Sequence, residues 1–307
     1  MKLKNLIKSI VPASFRKIDK SEKKIEEILK KIIKRDSNIY RILVDFAKYT
    51  EIMYECGEYH KNAFAKYKNY FRGKDVAIIG SGPTLDMWEP FKDCIQMGVN
   101  STFFSKKLNL DFLFFQDYDF NHFMHVKEVL KNRKDIKCNI FIGLHYNSKI
   151  EPVPLNEIEA LNAKPYFFYE GVQFPEMYPW YFTIDISKKP FIIYYSSIFV
   201  ALQFAVFTHP KRIFIVGCDC SSEGHCSDNL NSFDLNDPFT SKKCELLKKG
   251  WERFNFFVSR LYSDIEIISV NPVGLKGMFR DVYTEKYLIE HPEIDRNEIE
   301  IIHKNEI

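Results

Sequence analysis

Residues whose types and spacing can do chemistry collect at the ends of short apolar strings. The clearest case is "DVAIIGSGPTLD", Asp75 to Asp86, where an apolar run passes straight into Gly80, Ser81, Gly82, Pro83 and Thr84. A glycine-rich turn after a strand is a place where backbone N–H groups meet an anion, so the N–H groups around Ser81 and Gly82 are expected to face a phosphate. Two standard fingerprints fail at this loop. A dinucleotide loop needs a third glycine where Leu85 stands, and a triphosphate loop needs a closing Gly-Lys-Ser or Gly-Lys-Thr, which is missing. The ends of the other strings add Asn100, Ser101, Gln116, Asp117, Ser196, Ser197, Gly217, Asp219 and Asn271. Amides, hydroxyls and glycine dominate that set, and positive charge is sparse. Such a rim suits hydrogen bonding to a base, a ribose and one phosphate better than a bare triphosphate with magnesium.

A second cluster is Cys218, Cys220, His225 and Cys226. Four nitrogen or sulfur ligands are enough for zinc, but structural sites use two separated pairs with a two-residue gap in each, and the gaps here are one, four and zero. Buried free thiols account for these cysteines better, and no metal is expected.

The elements that must position these residues are legible from the apolar pattern. The strings "DVAIIG" (75–80), "IQMGVN" (95–100), "DFLFFQD" (111–117), "NIFIGLH" (139–145), "RIFIVGCD" (212–219) and "DIEIISVNP" (264–272) alternate with helix-like stretches such as "SSIFVALQFAVFTH" and "SKKCELLKKGWERFNFFVSRLY". Continuous apolar strands between helices predict an α/β fold, a doubly wound and mainly parallel Rossmann-like sheet covered on both faces. Ligands of such sheets sit beyond the carboxyl ends of the strands, where the candidate residues fall. Residues 1–71 have helical spacing and read as a basic N-terminal extension, with 72–307 as the Rossmann-like domain that carries the candidate residues. Within it, 150–192 holds five prolines and many aromatics and reads as a loop-rich, lid-like insertion or a packed excursion.

Bulk properties narrow the function classes. With 307 residues and 46% hydrophobic content the chain supports a large core. The net charge of +3 resides in the arm: residues 1–36 carry 12 Lys or Arg against 5 Asp or Glu, and the remainder carries 32 against 36. A mildly acidic body is a poor nucleic-acid binder. No run of about 20 apolar residues predicts a transmembrane helix, and no secretory signal is evident. The expected location is cytoplasmic, with the first amphipathic basic segment lying against the inner membrane face. Seven cysteines, an odd number, fit reduced thiols.

In order and spacing, "VAIIGSGPTL", "GVNSTFF", "DFLFFQD", "YSSIFVALQFAVFTHPKRIFIVGCD" and "IEIISVNPVGLKGMF" resemble the layout of the bacterial metal-independent sialyltransferases that use CMP-N-acetylneuraminic acid. The related domain-of-unknown-function family 115, with its motility-associated flagellin glycosylation proteins and archaeal pterin diphosphokinases, shares that layout. The resemblance spans roughly 74–285. It implies that Gly80, Ser81, Gly82, Pro83, Thr84 and Leu85 wrap a cytidine monophosphate and that Asn100 contacts the donor. It further implies that Tyr195, Ser196 and Ser197 lie against the nucleotide-sugar, that Gly217, Cys218 and Asp219 end the next strand, and that Asn271 and Pro272 fall near the base.

The departures are specific. Gln116 replaces an asparagine, "NDPFTSKK" lacks the catalytic histidine of the family, and "CDCSSEGHCSDN" lacks its two phosphate-flanking tyrosines. An inverting transfer still needs a base for the acceptor hydroxyl. His225, in the loop after the Gly-Cys-Asp strand, and the strand-end carboxylates Asp219 and Asp117 are the candidates, and Asp219 has the alternative role of holding the loop by accepting backbone N–H bonds. The implied activity is a glycosyltransferase that takes a CMP-activated acid sugar, sialic acid-like or another nonulosonic acid, as its donor and modifies a surface polysaccharide or protein, with no other cofactor. A homo-oligomer stays open. The alternatives are a nucleotide-dependent diphosphokinase of the pterin type, with Asp117 and Asp219 holding magnesium, or a catalytically silent nucleotide-sugar binder.

Overall fold

In the computed structural model of the chain, the described residues are 27, 56–116, 124, 127–128, 130–131, 137–145, 154–170, 182–221, 226 and 241–303. The basic arm apart from Glu27, together with Asp117 and His225, lies outside them. Among the described residues nine strands form one sheet: β1 (Asp75–Ile79), β2 (Ile95–Val99), β3 (Phe112–Gln116), β4 (Asn139–His145), β5 (Lys164–Glu170), β6 (Phe191–Ile193), β7 (Arg212–Val216), β8 (Glu266–Val270) and β9 (Arg280–Val282). Their order is β6-β5-β4-β3-β2-β1-β7-β8-β9, and every pairing is parallel. The chain therefore winds outward from β1 to β6, crosses back, and winds outward again from β7. The reversal falls between β1 and β7, which makes the crevice beyond their carboxyl ends the topological switch point.

The apolar strings become strands because both faces of the sheet are buried. Val76, Ile78, Met97, Phe114, Ile213 and Ile215 point into one core, and their neighbours Ala77, Ile79, Phe214 and Val216 point into another. Successive side chains alternate between faces, so a strand covered twice must be apolar throughout. The crossover from β6 to β7 is helix α3 (Ile198–Thr208), buried at every one of its positions. It follows α1 (helical at 56–64) and α2 (Leu155–Glu159) and precedes α4 (Ser241–Leu261) and α5 (Glu285–Glu290) in the chain. The one amide in α3, Gln203, is fully satisfied. Its Oε1 accepts from Thr183 N (2.9 Å) and Ile192 N (3.2 Å), and its Nε2 donates to the Ile192 and Phe199 carbonyls at 2.7 Å each.

Two pieces of the 150–192 stretch, loop-rich by sequence, are strands. Pro165 sits in β5 without cost because β6 joins only from Phe168 onward, leaving the outer edge at Pro165 unpaired. The end of the N-terminal extension is likewise part of the main core: Ala63, Phe64, Tyr67 and Phe71 pack with the strand residues. The N–H groups of Asn69 and Phe71 cap the terminal carbonyls of α3 at Phe207 and Thr208.

His60 ties α1 to the far half of the sheet. It is fully buried; Phe167 N donates to its Nε2 at 2.8 Å, so the ring proton sits on Nδ1, which donates to the Ile186 carbonyl at 2.7 Å. This bonding pattern requires a neutral ring. Burial lowers its pKa from 6.5 to about 4. The unfolded chain takes up this proton near 6.5 and the fold resists it until about 4, so the neutral ring contributes fully above 6.5 and its contribution drains away as pH falls toward 4. The expected loss across that window is about 3 kcal/mol. Urea unfolding at pH 7.5 and pH 5 checks it: the wild type loses stability on acidification, whereas His60→Gln is weaker at pH 7.5 and has a flatter dependence. An unchanged slope in the variant contradicts the assignment.

Candidate functional site

At the switch point the loops after β1 and β7 touch through their backbones. Gly80 N donates to Val216 O at 2.8 Å and Gly82 N to Gly217 O at 2.7 Å. Gly217 has φ +61, in the left-handed region, and a Cβ there would stand 2.6 Å from Gly80 O. A Cβ on Gly82 would meet Asp219 Oδ2 at 2.5 Å. Glycine is therefore required for contact between the loops as well as for backbone freedom.

Asp219 closes this contact. It is buried, accepts from Thr84 N at 2.9 Å through Oδ2, and accepts the Thr84 hydroxyl through Oδ1. The expectation that the N–H groups around Ser81 and Gly82 face a phosphate is corrected at Gly82, whose N–H is spent on Gly217 O. The Ser81 carbonyl in turn accepts from Cys226 N at 2.8 Å. The physical reason is the turn at Gly217, which aims a carbonyl inward and reaches the amide before any ligand does.

Behind the loop, Pro83–Met87 forms a short 3-10 turn with Pro83 at its start. The last carbonyls of such a turn lack internal partners. Here they are capped by side chains: Lys107 Nζ donates to Leu85 O and to Trp88 O (2.9 Å), Lys286 Nζ to Asp86 O (2.7 Å), and Thr284 Oγ1 to Met87 O (2.9 Å). Partial burial lowers the Lys107 pKa. Sequence reasoning missed all three residues, which lie far away in the chain and belong to no motif.

Beyond β2, Asn100 takes a left-handed φ of +45. Its Oδ1 accepts from Gln116 N (3.0 Å) and its Nδ2 donates to Ser197 Oγ (3.0 Å), which joins the ends of β2 and β3 to the start of α3. Asn271 repeats the device after β8: φ +51, Oδ1 accepting from Thr284 N (2.8 Å), Nδ2 donating to Thr284 Oγ1 (3.0 Å). Asn271 is 1% exposed. Its Oδ1 and one Nδ2 hydrogen thus brace Thr284. Both asparagines follow a valine at a strand end, and the repeated Val-Asn was the signal available in the sequence.

The structure thus gathers Gly80, Ser81, Gly82, Pro83, Thr84, Gly217 and Asp219 in one cluster, and Asn100, Gln116 and Ser197 in a second beside it. Ser101 is buried in the turn Asn100–Phe104. Ser196 Oγ accepts from Ile198 N at 3.3 Å. Because Ser196 and Ser197 accept in these bonds, their hydroxyl protons remain available to donate. Gln116 is buried and its Oε1 has no hydrogen-bond partner. Tyr195, with φ +59 and half its surface exposed, stands at the start of α3 in a conformation costly for an aromatic residue. Burial pushes the Cys218 and Cys220 thiols up, Cys220 to about 12.

No family model matches the chain, and no curated protein matches it. Among solved structures it is similar to the sialyltransferase CstII from Campylobacter jejuni in complex with CMP-3FNeuAc, at 17% identity over 64% of this chain and 80% of that one, with a TM-score of 0.39. An α-2,3-sialyltransferase from Campylobacter jejuni in apo form gives 18% identity, 64% and 75% coverage and 0.40. The monofunctional α-2,3-sialyltransferase Cst-I from Campylobacter jejuni gives 16% identity, 65% and 75% coverage and 0.42. At these values the likeness carries no weight in assigning an activity.

Asp219 is expected to hold the site together. Asp219→Ala removes the acceptor of two buried donors and is expected to cost about 3 kcal/mol. Chemical denaturation measures it, and a loss below about 1 kcal/mol, the value of one ordinary neutral hydrogen bond, contradicts this role.

Proposed function

We propose that the chain is a glycosyltransferase that binds a CMP-activated acid sugar at the switch point and transfers the sugar to a glycan or protein. The observation that supports this most directly is the neutral rim beyond β1, β2, β3 and β7, where amides and hydroxyls are held in place by their own hydrogen bonds. Such groups match a base, sugar hydroxyls and one phosphate. The order and spacing of the sequence motifs point to the same donor class. The hydroxyl protons of Ser196 and Ser197 and the Oε1 of Gln116 are not used in these bonds; Gln116 and Ser197 are buried, and Ser196 is the partly exposed one.

In this reading the base is His225. Both oxygens of Asp219 already accept from Thr84, which makes that carboxylate a poor proton acceptor for an incoming hydroxyl. The same commitment weighs against the diphosphokinase reading, because Asp219 is one half of the Asp117–Asp219 pair that the sequence offers for magnesium. An imidazole with an ordinary pKa near 6.5 can accept the acceptor's proton at neutral pH. The basic arm brings the enzyme to an anionic membrane face, where lipid-linked acceptors are found. Among the described residues no helix is long and apolar enough to cross a membrane.

Thermal unfolding with CMP, UMP and AMP tests the donor. CMP at saturation is expected to raise the midpoint by about 5 °C, well beyond UMP or AMP. Equal shifts for the three nucleotides, or none, sink the reading. His225→Ala is expected to keep the CMP shift and to slow donor turnover at least about 100-fold.

A further inference from the structure

We propose that Tyr195 is the platform on which a pyranose ring of the acceptor stacks, so that the acceptor is a glycan; the assignment rests on the glycosyltransferase reading above. Its place follows from its neighbours. Ser197 Oγ lies 3.0 Å from Asn100 Nδ2, and Asn100 Oδ1 accepts from Gln116 N, so Ser197 stands within the cluster beyond β2 and β3. Tyr195 comes two residues earlier, within about 7 Å between Cα atoms, which puts its side chain at the rim of that cluster. Exposure orders this turn: Tyr195 is 50% exposed, Ser196 is partly exposed and Ser197 is buried. A donor at the switch point occupies the inner end, and an acceptor, which approaches from solvent, meets the outer end.

The backbone keeps an aromatic ring here at a cost. At φ +59 glycine would be unstrained, whereas a bulky side chain is disfavoured. The conformation persists because Tyr194 anchors it. That residue is 1% exposed and packs on α4 at Gly250, where a Cβ would stand 2.7 Å from the Tyr194 Cδ1. The Arg253 guanidinium lies 5.8 Å from the Tyr194 ring centroid. Tyr195 meets Tyr194 edge to face, with centroids 5.6 Å apart and planes at 90°, which fixes the orientation of its ring. Strain that packing over-determines, at a turn facing a candidate site, points to a residue retained for its side chain.

The chemistry of the ring selects the occupant. The face of a tyrosine ring is electron-rich. A pyranose offers it a face of C–H bonds, whose hydrogens are slightly positive, while the sugar hydroxyls are left to the amides and hydroxyls of the rim. A serine or threonine acceptor in a peptide brings no ring to stack.

Saturation-transfer NMR in the presence of CMP tests this, with the methyl β-glycosides of galactose, glucose and N-acetylglucosamine as probes, on the wild type, Tyr195→Phe and Tyr195→Gly. The expected result is transfer to the C–H protons of one sugar face in the wild type and in Tyr195→Phe, and glycoside binding weaker by at least about tenfold in Tyr195→Gly. CMP affinity, read by calorimetry, is expected to be the same in all three proteins. Because glycine suits φ +59, Tyr195→Gly is also expected to melt no lower than the wild type, the opposite of what a packing residue would give. No glycoside signal in the wild type, or an undiminished one in Tyr195→Gly, overturns the platform. Where Tyr195→Gly melts lower, Tyr195→Leu decides, since it keeps the bulk without the ring: a lost signal supports the platform and a retained one refutes it. A wild type that does not bind CMP but shows the Tyr195-dependent glycoside signal overturns the CMP-sugar reading and leaves the platform standing.

Discussion

The candidate site depends on one constraint: the chain after β1 and the chain after β7 must meet with no side chain between them. A Cβ at Gly80 would stand 2.5 Å from the Gly217 carbonyl, and one at Gly217 would stand 2.6 Å from the Gly80 carbonyl. Each glycine is the hole that the other's carbonyl fills. The same junction is clamped at its opposite end by Arg212, whose Nε and Nη2 donate to the two oxygens of Asp75 at 2.9 and 2.6 Å. A bidentate pair at one end and interlocked glycines at the other leave β1 and β7 a single register. Everything that could bind a ligand is aimed from that register.

Around the junction, polar groups serve mainly to hold other polar groups. Asp219 takes two donors from Thr84, Asn100 joins β2 and β3 to α3, and Asn271 braces Thr284, which caps the 3-10 turn behind the glycine loop. The loop is stiff because its amides and carbonyls are already bonded to protein. Such a loop contributes shape and position, and charge must arrive from elsewhere. In an interior of low dielectric, satisfied groups of this kind specify one arrangement rather than many.

Much of the sheet was legible in the sequence. The six continuous apolar strings correspond to β1, β2, β3, β4, β7 and β8, because a doubly covered strand has to be apolar along its length. The remaining strands hide for physical reasons. β5 contains Pro165, tolerated only because its outer edge there is unpaired; β6 is three residues long; and β9, "RDV", is a polar edge. At the candidate site, residue types single out the loops that the fold brings together but not where their bonds go. Nothing in "GSGPT" reveals that the Gly82 amide is consumed by a carbonyl 135 residues later, or that Lys107, Thr284 and Lys286 cap the turn. Nor does an amide at a strand end reveal its bonds: nothing in the sequence shows that Asn271 braces Thr284.

The place of β7 in the sheet also sets an order of assembly. β1 lies at the centre, yet its second neighbour is made only after five further strands and the wholly buried α3 have been synthesised, with 137 residues separating Asp75 from Arg212. On an emerging chain one edge of β1 therefore stays open until Arg212–Val216 leaves the ribosome, although α3 can already pack on β1, β2 and β6. The crevice between the ends of β1 and β7 is consequently the last part of the sheet's centre to exist. Nascent chains stopped before β7 carry the glycine loop without the carbonyls that shape it, and they present the open edge of β1 to the chaperones.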